Sequence, residues 1–265
     1  MMRNAFYALT IAASAALALC AMPAKAESTL DRILKEKKIR ITAEVTSPPF
    51  GIIDQSGQPD GSEIAVSRQL AKDLGVELEL VQVTAPQRIP TLLSGRADVA
   101  ISSLSITVDR AKTVAFANPH GVLSVVITAP AGTAIKDAAG LAGKRIGITR
   151  ATLEEATVPK IAPQDAKIVF FDDIAATIQA LLSGQVDAAA FSAFAAKSVA
   201  DRNPNMKLEN KFTVATAYYS AVVRPADQEL LRFLNTWVFL RTQDGTLASI
   251  YEKYTGVKLG ALPVF

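Results

Sequence analysis

Apolar positions along this chain change their period repeatedly, and each change predicts an element. Lys38–Val45 alternates as a strand and runs into a Pro48-Pro49-Phe50 turn. Ile64, Leu70, Ala71 and Leu74 then share one helical face, predicting a helix from a Ser62 cap to about Leu74, with Gly75 as its stop. Val76–Val83 reads as a strand, Arg88–Ser94 as a short helix ended by Gly95, and Ala97–Ile101 as a strand. The order recurs: strand Arg145–Ile148, helix Thr152–Lys160 and strand Lys167–Phe171. A helix capped by Asp172 or Asp173 follows to Leu182, then a Gly184 stop and strand Val186–Ala190. Strands alternating with helices predict an α/β protein with mostly parallel sheets flanked by helices.

One joint is written twice. LLSGRADVA (92–100) returns 89 positions later as LLSGQVDAA (181–189). Two copies are too few for a solenoid, so the repeat predicts two related lobes. The long apolar runs GVLSVVITAP (121–130) and KFTVATAYYSAVVRP (211–225) suit two hinge strands between them. The lobes would then be 27–121 plus 217–265, and 122–216. The first would include a helix over Gln228–Arg241 with Leu231, Leu234, Val238 and Arg241 at helical spacing. Ligands bind beyond the carboxyl ends of strands in such sheets, and two such edges across a hinge form a closing cleft.

Composition narrows the setting. Half of the 265 residues are hydrophobic, enough for a substantial core. Residues 1–26 read as a secretory signal peptide: Arg3, the apolar Ala5–Leu19, and Ala24-Lys25-Ala26 with cleavage after Ala26. The apolar run is short for a spanning helix, and the bulky Leu19 before Cys20 argues against a lipoprotein signal. Removing this segment takes away the one cysteine together with Arg3 and Lys25, leaving 26 basic against 25 acidic residues. The expected mature protein is a nearly neutral, disulfide-free, periplasmic monomer. Its interspersed charges exclude a nucleic-acid partner or an anionic lipid surface. Nucleophile-elbow, P-loop and metal-ligand spacings are missing, so no catalytic residue, metal or cofactor is expected. His120, the single histidine, reads as structural or surface-exposed.

The loop SSLSITVDR (102–110) places three serines after a strand, Thr107 as a helix cap and Arg110 in the first turn. A cation is disfavoured there, so Arg110 either clamps an anion such as a carboxylate or pairs with Asp109. TSPPFG (46–51), QRIPTLLSGRADV (87–99), SSLSITVDR, VAFANP (114–119) and GLAGKRIGI (140–148) together resemble the extracytoplasmic binding proteins of polar amino-acid ABC importers. The likeness spans essentially the whole mature chain. It implies a two-lobed, two-hinge fold, an amino-acid or related carboxylate ligand, and the transmembrane permease as partner.

By the same resemblance Arg110 matches the arginine that clamps the ligand α-carboxylate, with Ser103 and Ser105 as polar contacts beside it. Phe50 belongs to a cleft wall, and Ser47 stands where some members carry an aromatic. Arg88 matches an arginine that meets side-chain carboxylates in acidic-amino-acid binders, with a helix-surface arginine as the alternative. Two departures stand out. The second-lobe Gly-Thr-Thr motif reads Ala151-Thr152-Leu153, and Ser192 replaces an aspartate that meets the ligand ammonium. An ammonium buried without an opposing charge costs several kcal/mol. Glu44, at the end of the first strand, is the first candidate to replace that acid, followed by Asp172, Asp173 and Glu154. Arg150 is a candidate for a second anion contact. Acidic or amide side chains rank slightly ahead as ligands. The alternatives are a dehydratase of the same fold acting on cyclohexadienyl substrates and a binder of carboxylates lacking an ammonium. Nothing after LPVF suggests a tethered sensor.

Overall fold

The structure is a computed structural model describing residues 27–264, so the expected signal segment lies outside the described residues. The first half contains α1 (Thr29–Glu36), β1 (Lys38–Ala43), β2 (Ile52–Ile53), β3 (Pro59–Asp60), α2 (Ser62–Leu74), β4 (Glu77–Gln82) and α3 (Arg88–Leu93). It continues with β5 (Val99–Ala100), α4 (Val108–Ala111), β6 (Ala115–Phe116) and the long β7 (Gly121–Pro130). The second half contains β8 (Arg145–Thr149), α5 (Leu153–Ile161), β9 (Lys167–Phe171), α6 (Ile174–Leu182), β10 (Ala188–Ser192) and α7 (Ala193–Arg202). It ends with β11 (Leu208–Tyr219), β12 (Val222–Val223), α8 (Gln228–Gln243) and α9 (Thr246–Thr255).

Two five-stranded sheets form two lobes, and their orders correspond. The first runs β4-β1-β5-β12-β6 and the second, read from its far edge, β9-β8-β10-β7-β11. In each the first three strands are parallel, the fourth is antiparallel to the third, and the fifth reverses again. The fourth strand of each sheet, β12 or β7, directly follows a crossing of the chain between lobes. β7 and β11 pair from Leu208–Pro130 to Tyr219–Gly121, and beyond the β10 pairing at Val125–Thr128 they continue to the hinge as a two-stranded ribbon.

The repeated joint has a specific physical use. Gly95 and Gly184 end α3 and α6 with φ of +75° and +73°, a conformation that costs glycine little. The aspartate three residues later then clamps the neighbouring strand. Asp98 accepts from the Arg40 backbone N–H at 2.9 Å and from its guanidinium at 2.7 and 3.2 Å. Asp187 does the same with Arg145, at 2.8, 2.7 and 3.2 Å. Both clamps sit where β1 and β8 begin, far from the carboxyl ends of the strands. Asp98 is fully buried and has Arg32 as a further partner.

Several expected details shift. Gly61, with φ +124°, occupies the cap position of α2, so Ser62 is its first residue and makes no cap bond. Asp173, not Asp172, caps α6, accepting from Ala176 N–H at 2.7 Å. α8 buries Leu230, Leu234, Trp237 and Val238, so its inner face starts one residue before the expected Leu231. Arg241 pairs with Asp73 and Asp244 on its rim. Ile33, Ile39, Ile41, Leu70, Val99 and Trp237 pack with this face into the first core. The second core joins Val125, Ile127, Leu141, Ile146 and Ile148. Each such fully buried aliphatic side chain contributes roughly 1.5–3 kcal/mol relative to exposure. α9 serves both lobes: it packs on α2 and α8, and its Tyr251 hydroxyl donates to Val122 O of β7 at 2.9 Å. No helix among the described residues is long and apolar enough to cross a membrane.

The two clamps differ in burial, and their removal should differ accordingly. Asp98→Ala should destabilise by about 3 kcal/mol, since it strands two arginines beside a buried site, whereas Asp187→Ala should cost about 1 kcal/mol or less. Arg145 holds the Asp187 carboxyl down to about 2. Its contribution is therefore present above the ordinary carboxylate range and lost as pH falls towards 2. Urea unfolding of both variants tests the ranking; equal losses would mean that the clamps are energetically equivalent.

Candidate functional site

The carboxyl ends of β1, β5, β8 and β10 converge on one interlobe cavity. The cavity is small, about 40 Å³. Glu44 enters it directly after β1, and Ser103 and Ser105 from the loop after β5. Thr152 and Ser192 enter where β8 and β10 give way to helices, while Ser47 and Phe50 come from the proline-rich turn. Arg88 and Arg110 complete the set, so the nine principal residues singled out in the sequence share one cavity.

Main-chain contacts hold this arrangement. Gly51 passes so close to Glu44 that a Cβ there would lie 2.1 Å from the Glu44 carbonyl oxygen. Phe50 is buried in the second core, edge-on to Phe194 at 6.0 Å and to Tyr219, at the end of β11, at 5.6 Å. The serine loop is tied to the hinge by Ile106 N–H to Tyr218 O at 2.9 Å and Ser220 N–H to Leu104 O at 3.3 Å. Ser103 is left-handed, with φ +47°, and its N–H donates to Glu63 at 2.9 Å. His120 is buried rather than surface-exposed, with Nε2 3.1 Å from the same Glu63 carboxylate. Neither Glu63 nor this pairing was apparent in the sequence, because the partners lie 57 positions apart.

The two arginines meet different fates. Arg88 is buried and braced by three carbonyls, those of Ala85 at 2.9 Å, Ser102 at 3.0 Å and Ala151 at 2.7 Å. Glu44 Oε2 lies 3.4 Å from its Nη1. Arg110 donates to Ser105 O at 2.8 Å and Ala151 O at 2.7 Å, leaving three of a guanidinium's five N–H groups uncommitted. Asp109, its alternative partner, is taken by Lys112 at 2.8 Å. Ala151 therefore receives both first-lobe arginines on one second-lobe carbonyl. Its φ of +57° is the physical setting of the missing motif glycine. The departure from Gly-Thr-Thr marked this position, but not its role as an acceptor.

Thr152 and Ser192 are helix caps, accepting from Glu155 N–H at 3.4 Å and Ala195 N–H at 3.1 Å. The Thr152 hydroxyl proton goes to Thr149 O at 2.6 Å. Arg150, Asp172 and Asp173 do not line the cavity. Arg150 lies over the Phe170 ring at 4.8 Å and 3.4 Å from Asp172, both half or more exposed, while Asp173 is spent as the α6 cap. Glu154 does line the cavity, as do Leu123, Leu153, Ile174 and Phe191. The apolar members of this wall were not singled out because they read simply as core.

The pattern of the bacterial extracellular solute-binding proteins, family 3, matches residues 39–257. The chain belongs to this family. It is 28% identical over 233 residues to the L-cystine-binding protein of Escherichia coli (strain K12), covering 87% of each chain. Among solved structures it superposes with TM-score 0.80 on a solute receptor for L-cysteine of Neisseria gonorrhoeae, at 27% identity over 86% of this chain and 93% of that one. An ancestral amino-acid-binding protein described as a precursor of cyclohexadienyl dehydratase gives 0.78 at 30% identity, covering 86% and 99%.

Electrostatically, this family-3 cavity pairs two guanidinium groups with two carboxylates. Burial, followed by the nearby Arg88 charge, brings the Arg110 guanidinium down to about 10. Burial pushes the Glu44 carboxyl up; Arg88 opposes the shift, while Glu154 and Asp173 add to it. Burial also pushes Glu154 up, against a hydrogen bond from its own N–H and the charges of Arg88 and Arg110. A carboxyl raised in the folded state stabilises most below its unfolded value near 4.3, and this is lost as pH rises through the folded value. Glu44→Gln should therefore raise the melting temperature of ligand-stripped protein at pH 8 by about 2–4 °C, equivalent to ~1 kcal/mol, and change it little at pH 4. Thermal unfolding at both pH values checks this; a lower melting point at pH 8 would show that the Arg88 pairing outweighs burial.

Proposed function

We propose that this chain is the periplasmic amino-acid-binding subunit of an ABC importer. It closes two lobes around its ligand and delivers the ligand, as a monomer, to the transmembrane permease. Residues 1–26 direct export, with cleavage after Ala26. The moving bodies are 27–121 plus 217–265 and 122–216, with both boundaries in the β7–β11 ribbon. The observation that carries this reading is Arg110. It stands at the junction of the lobes with uncommitted N–H groups, beside Ser103 and Ser105, in a cavity that also contains carboxylates. That pattern complements a zwitterion. The relatives named for cystine, glutamine, arginine and histidine support the same class.

In this reading Arg110 takes the ligand carboxylate, with Ser103 and Ser105 beside it. Phe50 and Ser47 close one wall, and Thr152 and Ser192 orient the second-lobe helix ends. Closure follows from the ligand's preference for the closed form, because a ligand with equal affinity for both forms shifts nothing. A desolvated acid in the cavity supports a second reading, a cyclohexadienyl dehydratase protonating a leaving hydroxyl. Turnover of prephenate or arogenate distinguishes the two, since a binding protein returns its ligand unchanged.

Arg110→Ala should weaken ligand binding by tenfold or more, a loss of about 1.4 kcal/mol at the threshold. Isothermal titration of refolded wild type and variant measures this, with circular dichroism to confirm the fold. Unchanged affinity would remove Arg110 from the carboxylate role.

A further inference from the structure

The ligand's positive end has no obvious partner where the sequence places Ser192. That hydroxyl caps α7, and the position carries no charge. The cavity nevertheless contains acid. Glu44 stands on the first lobe and Glu154 on the second, and both line it. Glu44 is 4% exposed, and its Oε1 is buried without any hydrogen-bond partner, while Oε2 faces Arg88 at 3.4 Å. A buried carboxylate oxygen left bare is costly, and an N–H donor from a bound molecule satisfies it. Glu154 lies in the first turn of α5, two residues beyond the Thr152 cap.

The remaining wall limits what the ammonium is attached to. Leu123, Leu153, Ile174, Phe191 and Ala195 surround the acids with hydrocarbon, and the water-accessible space is only about 40 Å³. Arg88 commits four of its five N–H groups to three backbone carbonyls and Glu44, leaving a single Nη2 N–H and no bidentate fork for a ligand side-chain carboxylate. A second cation on the ligand would meet Arg88 and Arg110 across the same small space.

We propose that Glu44 and Glu154 hold the ligand ammonium between the lobes, in place of the acid absent at Ser192, and that the ligand is an α-amino acid with a short, uncharged side chain. This rests on the amino-acid-binding reading above. It departs from the acidic or amide preference suggested by Arg88 in the sequence. Because one acid comes from each lobe, the bound ammonium separates two like charges that otherwise face each other in the closed cleft.

The test is a titration series on the purified protein, unfolded and refolded to strip carried ligand. The probes are alanine, serine, cysteine, valine, glutamate, glutamine, arginine and histidine, with propanoate and 3-methylbutanoate as deaminated controls. Binding of one or more of the first four, at least tenfold tighter than any of the second four and undetectable for the controls, is expected. Glu44→Gln and Glu154→Gln should each weaken that ligand at least tenfold while keeping the wild-type circular dichroism spectrum. Best binding by a charged or amide amino acid overturns the side-chain class. Wild-type affinity in both Gln variants overturns the ammonium site. Either result leaves the amino-acid-binding reading standing. Binding of the deaminated acids alone, or of no amino acid, overturns that reading and this proposal together.

Discussion

Two guanidinium groups meeting on one carbonyl, Arg88 buried and Arg110 half-buried, must be met by oxygen, and much of this site is arranged to supply it. Arg88 and Arg110 draw on carbonyls from the 85, 102, 105 and 151 positions, which belong to three different segments and both lobes. Once those carbonyls are in place, the loop after β5 is fixed against α3, and the start of α5 is drawn to the first lobe. The left-handed turn at Ala151 follows from the same demand, since it presents one carbonyl to both arginines. The site is a consequence of solvating charge with backbone as much as of any side chain placed for a ligand.

The two sheets show how the frame supporting this site is divided. At the starts of β1 and β8, aspartates lock neighbouring strands with charge-assisted bonds; at the opposite ends, loops and helix caps form the cavity. Rigidity is concentrated at one rim and chemistry at the other. The hinge lies between them, where β7 and β11 stay paired while the serine loop bonds to Tyr218 and Ser220. α9 spans the same region from outside, so the end of the chain also senses the relation of the lobes.

Much of this was legible in the residues. Period changes located the long strands and the helices α2, α3, α5, α6 and α8, because amphipathic elements declare their buried face locally, whereas α1, α7, α9 and the two-residue strands β2, β3 and β6 were not marked. The LLSG repeat announced the corresponding lobes, although what its aspartate grips could not be read: Arg40 and Arg145 precede it by 58 and 42 positions. Cavity residues were found where they sit at strand ends, a place that topology dictates. Asp172, Asp173 and Arg150 failed for a local reason, since a helix start offers several acids and only the three-dimensional turn decides which one caps and which faces solvent. Glu63 and the apolar wall were silent because nothing in their own neighbourhood distinguishes them from core.

Phe50 has a thermal consequence. Its ring comes from the turn beside β1 yet is buried against Phe194 and Tyr219 in the second core. Any opening of the cleft that separates the Phe50 ring from Phe194 exposes hydrocarbon to water, and closure buries it again. Burial of apolar surface carries a negative heat-capacity change. The heat released on closing therefore grows as the protein is warmed, while in the cold the same contact is a weaker fastening. The aromatic turn makes the balance between open and closed forms sensitive to temperature, through a residue whose ring makes no charge contact at all.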